Sequence, residues 1–167
     1  MASSTILINE LLISQRQSFN TGATRSISFR IEQLKKLKQA VERNEERICD
    51  ALWRDLHKSK QEAYLTEVSI IIQEINLHIR KLRRWAKPKK VATPIHLKPS
   101  SSRVVYEPLG VSLIIAPWNY PFQLILNPLI GSISAGNCAV IKPSPYSKHT
   151  SQLLEEIISD IFPANYI

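Results

Sequence analysis

The sequence predicts an α/β protein in which N-terminal helices lead, through a short β excursion, into a parallel βαβα unit. Three observations carry that prediction. Apolar residues recur at helical spacing from Ile31 to Trp85. A stretch rich in Pro, Ser and Thr then breaks the pattern between Pro88 and Pro108. Beyond Gly110, short continuous apolar runs alternate with helix-length segments, the pattern of parallel strands joined by right-handed crossovers.

In chain order, Ile31, Leu34, Leu37 and Val41 predict a first helix from Ser28, and Ile48, Leu52 and Leu56 predict a second. Asn44 is expected to cap the second, with Glu45 and Glu46 in its first turn. Ser59-Lys60-Gln61-Glu62 reads as a capping box opening one long amphipathic helix through Tyr64, Val68, Ile71, Ile75, Ile79, Leu82 and Trp85, closed by Pro88. Side chains at such spacing build a core, so these helices are expected to carry architecture rather than chemistry. The excursion is expected to be hairpin-like, with β pieces near Ile95-Leu97 and Arg103-Tyr106. Val111-Ile115 and Cys138-Ile141 read as buried strands, Phe122 to Ala135 and Ser147 to Ile161 as helices. The predicted parts are residues 1–90, helical; 91–107, the β excursion; and 108–167, the start of the α/β unit.

The 167 residues are 44% apolar and 22% charged, ordinary for a globular domain. No run approaches the roughly 18 to 20 apolar residues of a membrane span, and the start lacks the basic region of a signal peptide, so a cytoplasmic protein without a transmembrane segment is expected. The net charge of +8 sits wholly in residues 1–90, with 18 Lys or Arg against 10 Asp or Glu. Its densest part runs from Arg80 to Lys90 and reads as a solvated helix end rather than a nucleic-acid surface, since no nucleic-acid motif accompanies it. Cys49 and Cys138 are isolated, as are the four histidines, so neither a disulfide framework nor a metal site is expected.

In an open parallel sheet, ligands bind beyond the carboxyl ends of the strands, here the residues after Ile115 and Ile141. In Ala116-Pro117-Trp118-Asn119-Tyr120-Pro121-Phe122, two prolines stiffen a turn carrying Asn119, whose amide is suited to donate to a developing negative oxygen. In Lys142-Pro143-Ser144-Pro145, Lys142 offers a cation to a nucleotide, and Ser144 offers a further donor. Taken singly, Trp118-Asn119 reads better as a packed loop with an Asx turn, and Lys142 as a surface lysine.

Taken together with Glu107-Pro108-Leu109-Gly110-Val111 and Ser134-Ala135-Gly136-Asn137, these segments resemble, in order and spacing, the aldehyde dehydrogenase superfamily. Phe29 to Leu34, Asp55 to Lys58 and Glu67-Val68 resemble the opening helices of its class 3, fatty-aldehyde-type branch. The resemblance implies a Rossmann-like cofactor-binding domain and oxidation of an aldehyde substrate to a carboxylic acid by a cysteine thiolate with NAD or NADP. It implies that Asn119 is the oxyanion asparagine, that Ile115, Ala116, Pro117 and Trp118 form a shelf beside the nicotinamide, and that Lys142 bonds the adenosine ribose, with Ser144 beside it. It further implies a homodimer, with the excursion as its bridging strands. Pro145 stands where the family commonly has a ribose-binding glutamate, which leaves room for a 2'-phosphate and hence for NADP. The family's phosphate-binding glycine turn, catalytic glutamate and nucleophilic cysteine have no match in the 167 residues, so this fold is expected to be incomplete and the chain alone inactive. The rival expectation is a non-catalytic module that binds a nucleotide or a partner.

Overall fold

Apolar periodicity sets the helices, as the sequence predicts, and the computed structural model describes residues 2–167. Helix α1 (Ala2–Asn20), which the sequence did not single out, packs on the strands of the α/β unit. Its buried Gln15 donates from Nε2 to the carbonyls of Ala139 (2.9 Å) and Ala164 (3.2 Å). Helix α2 (Ile27–Arg43) starts where the Ser26 hydroxyl accepts from the Phe29 N–H. Helix α3 (Glu45–Leu56) follows after Asn44, but Asn44 does not cap it as expected. Its amide Nδ2 turns back to the Ala40 carbonyl at 2.8 Å, closing α2 instead.

The long helix is not uniform. Ser59 accepts from the Glu62 N–H at 3.2 Å and opens α4 (Lys60–Ala63), but a π-helical segment, Tyr64–Val68, separates α4 from α5 (Ser69–Trp85). A π turn places about one residue more per turn, and within it the adjacent Glu67 and Val68 are both fully buried. The excursion is an antiparallel pair, β1 (Lys89–Val91) with β2 (Ser102–Val104), in register Lys89↔Val104. Its first strand therefore precedes the expected position. Ile95–Leu97 is instead a single 3-10 turn, closed by the Leu97 N–H on the Pro94 carbonyl at 3.0 Å.

The βαβα unit comprises β3 (Val111–Ile115), α6 (Gln123–Ala135), β4 (Cys138–Lys142) and α7 (Lys148–Ile161). Strands β3 and β4 are parallel, from Val111↔Cys138 to Ile115↔Lys142. Burial of β3 is one-sided, contrary to the sequence reading: Ile114 is buried, whereas Leu113 and Ile115 are each 64% exposed. One apolar cluster nevertheless joins both halves of the chain, with Leu34, Ile75, Leu126, Ile130 and Ile157 among its members. Among the described residues, no helix is long and apolar enough to cross a membrane.

Ser134-Ala135-Gly136-Asn137 is a structural hinge pin. Gly136 ends α6 with φ +90°, which an L side chain rarely adopts. Arg30 packs against it and donates to the carbonyls of Thr24, Arg25 and Ser134. Asn137 accepts the Gly110 N–H at 2.9 Å, aligning the start of β3 with that of β4. A Cβ on Gly136 would lie 2.5 Å from Arg30 Nη2. Gly136→Ala is therefore expected to destabilise the chain by about 1–3 kcal/mol, measured by denaturant unfolding, since it combines positive-φ strain with a clash against a buried cation.

Candidate functional site

The site is assembled by the strand register. Because Ile115 lies opposite Lys142, the loops that follow them emerge side by side, and the Ala116 N–H donates to the Lys142 carbonyl at 3.3 Å. Ala116 and Phe122 are buried and pin the two ends of the first loop, whereas Pro117, Trp118, Asn119 and Tyr120 between them are exposed. The chain enters α6 at once, with the Leu124 N–H on the Tyr120 carbonyl at 3.0 Å. Among the described residues, no hydrogen bond engages the Asn119 side-chain amide. Its two donors are thus open to an oxygen outside the fold. Ile115 and Trp118, exposed beside it, give the strand end an apolar face.

The second loop is organised differently. Lys142 is exposed, but Ser144 is buried, its hydroxyl accepting the Tyr146 N–H at 3.3 Å. The Ser144 carbonyl takes the hydroxyls of Ser147 (3.4 Å) and Ser151 (3.0 Å) at the start of α7. Pro143, Ser144 and Pro145 line a groove of about 620 Å³ between α1 and α7, along the outer edge of β4. The predicted residues therefore form two groups: Ile115 to Asn119 with Lys142 at the strand ends, and Ser144 in the groove wall.

Three charged residues that sequence reasoning left without a role hold these loops. Asp55 accepts the N–H groups of His149 (3.0 Å) and Thr150 (2.7 Å) and so caps α7, where a carboxylate suits the positive end of the helix. Glu67 accepts from Lys58 Nζ at 2.5 Å and from the N–H groups of Phe122 (2.9 Å) and Gln123 (3.1 Å). Lys58 also donates to the Asn119 carbonyl at 3.0 Å and lies 3.8 Å above the Tyr120 ring. One signal for this was in the sequence. Glu67 falls four residues from Ala63 and from Ile71, on a stripe of core positions where an unpaired acid would not be tolerated.

Neither cysteine has the surroundings of a nucleophile. Cys138 is fully buried and Cys49 nearly so. Burial raises both thiols above the usual cysteine range, joined at Cys49 by the neighbouring Glu45 carboxylate. Among the described residues, no group of three or more His, Cys, Asp or Glu is placed to hold a metal.

Known proteins share this arrangement. The model of the aldehyde dehydrogenase family matches residues 7–167. The chain belongs to that family. It is 46% identical over 161 residues to the 4,4'-diaponeurosporen-aldehyde dehydrogenase of Staphylococcus aureus (strain NCTC 8325 / PS 47), covering 96% of this chain and 35% of that protein. It is 45% identical over 143 residues to aldehyde dehydrogenase family 3 member B1 of Bos taurus, covering 86% of this chain and 31% of that protein. A solved structure described as the substrate-bound state of Staphylococcus aureus AldH superposes with a TM-score of 0.93 at 46% identity, over 96% of this chain and 35% of its own. This aldehyde dehydrogenase chain spans about a third of the length of those relatives. Its own thiols are expected to react with a disulfide reagent at least tenfold more slowly in the folded chain than after denaturation, because a buried thiol with a raised pKa supplies little thiolate. Rapid modification of the native chain would contradict their burial.

Proposed function

We propose that this chain forms the cofactor-binding part of an NAD(P)-dependent aldehyde dehydrogenase that oxidises aldehydes to carboxylic acids, with Asn119 as an oxyanion donor. The observation that carries the reading is the free Asn119 amide, exposed on a braced loop at the carboxyl end of β3. Its carboxamide N–H would stabilise the tetrahedral oxygen formed when a nucleophile adds to the aldehyde carbonyl, a contribution of about 3 to 4 kcal/mol in comparable sites. Ile115, Ala116, Pro117 and Trp118 would form a shelf for the nicotinamide end of the cofactor, an assignment that the exposed apolar surface of Ile115, Pro117 and Trp118 suits, with buried Ala116 contributing backbone. Lys142, exposed at the end of β4, would bond the adenosine ribose, with Ser144 supporting that loop. The bound NAD or NADP would supply the hydride acceptor.

In this reading residues 1–90 and 108–167 belong to the cofactor-binding domain, and residues 91–107 to a bridging element of a cytoplasmic homodimer. Exposed Val91, Ile95, Leu97 and Val104 give that element an apolar surface for a second copy.

A hybrid in which these 167 residues replace the matching third of the Staphylococcus aureus relative provides the test. The hybrid is expected to reduce NAD or NADP in the presence of aldehyde, and Asn119→Ala to lower kcat roughly 10²- to 10³-fold. An unchanged kcat would remove Asn119 from the chemistry. The 167-residue chain alone, given the same reagents, is expected to yield no NADH, since both of its thiols are buried.

The cofactor preference is testable in the same hybrid. An acidic side chain beside a ribose favours the 2'-hydroxyl and repels a 2'-phosphate. Pro145→Glu is therefore expected to raise the Kd for NADP relative to that for NAD, and an unchanged ratio would show that position 145 does not read the ribose.

A further inference from the structure

We propose that Lys58 and Glu67 act as one positioning unit for Asn119, fixing the backbone of its loop so that the side-chain amide alone is left free. The proposal rests on the reading of Asn119 as an oxyanion donor. Every polar atom of the pair is committed to this task. Glu67, with no exposed surface, places one carboxylate oxygen on Lys58 Nζ and the other on the N–H groups of Phe122 and Gln123. Those N–H groups open α6 and have no partner within the helix. Lys58 closes the other side, with its ammonium on the Asn119 carbonyl and over the Tyr120 ring. Four of the five residues from Asn119 to Gln123 are thus held through backbone or ring, and none through the Asn119 amide.

Burying this pair is expensive, and packing alone does not explain it. Two charges removed from water lose several kcal/mol of solvation each, and apolar residues of equal volume usually serve stability as well or better. The backbone also leaves regular α-helix beside both members of the pair. His57, directly before Lys58, ends α3 in a left-handed cap with φ +53°, its N–H on the Trp53 carbonyl. Glu67 lies in the π segment Tyr64–Val68, where an uninterrupted α-helix would be the cheaper way to join α4 to α5. Lys58 follows the first departure and Glu67 lies within the second, and both side chains reach the same loop. Asp55, three residues before Lys58, caps α7 directly after the Lys142 loop. The segment Asp55–Lys58 therefore braces both loops at the strand ends.

The test separates positioning from general stability. In the hybrid enzyme, Lys58→Met is expected to lower kcat roughly 10²-fold, the scale of a misplaced catalytic group, with little change in KM. Adding Asn119→Ala to Lys58→Met is expected to cost little more, because residues acting as a unit do not contribute independently. Lys58→Met/Glu67→Gln, which leaves no unpaired buried charge, should resemble Lys58→Met. In the 167-residue chain, Glu67→Gln is expected to accelerate amide exchange at Phe122 and Gln123 while Leu37 and Val41 in α2 keep their protection. An unchanged kcat for Lys58→Met, losses that multiply with Asn119→Ala, or protection lost throughout the chain would each overturn the proposal. An unchanged kcat for Asn119→Ala alone would overturn the oxyanion reading instead, and amide exchange then decides whether the pair orders the loop.

Discussion

The parallel ladder from Val111↔Cys138 to Ile115↔Lys142 forces two chain segments that are far apart in sequence to end at the same edge. Parallel strands cannot be joined by a tight turn, so the chain must cross over through α6 and return. Gly136 makes the return possible, and Asn137 ties it to Gly110. Both loops of the candidate site inherit their position from that alignment. A slip of one residue would turn Ile115 from one face of the sheet to the other and separate its loop from Lys142.

The helical half does more than cover the sheet, contrary to what its apolar spacing suggests. Its core positions meet α6 and α7 in one cluster, while Asp55, Lys58 and Glu67 reach the loops themselves. Apolar contacts are non-directional and fix a surface against another only loosely. Hydrogen bonds to charged groups are short and directional, and they set a particular peptide group at a particular place. The chain uses the first kind of contact for bulk attachment and the second where a loop must hold one conformation.

Much of this organisation was legible in the sequence. Apolar spacing located α2, α3, α5 and α7, and continuous apolar runs located β3 and β4. What periodicity could not convey was which faces are covered: Leu113 and Ile115 read as core yet are bare, because composition records hydrophobicity and not the neighbour that hides it. The π segment escaped because it is a shift of hydrogen-bond partners confined to Tyr64–Val68, and apolar spacing does not record which carbonyl an N–H meets. In the excursion, Ile95 and Leu97 looked more β-prone than Lys89 and Lys90, but Pro94 favoured a turn and left the lysines to pair. The loop residues were recognisable as a motif, whereas their support from Lys58 and Glu67 depended on a contact 55 to 61 positions away along the chain.

Gln15 couples the two extremes of the chain. Its amide joins α1 to the carbonyls of Ala139 and Ala164, a partner 149 residues later. At about 5–20 residues per second of synthesis, the interval between those two residues is on the order of ten seconds. Helix α1 therefore leaves the ribosome well before the second of its two hydrogen-bond partners has been made.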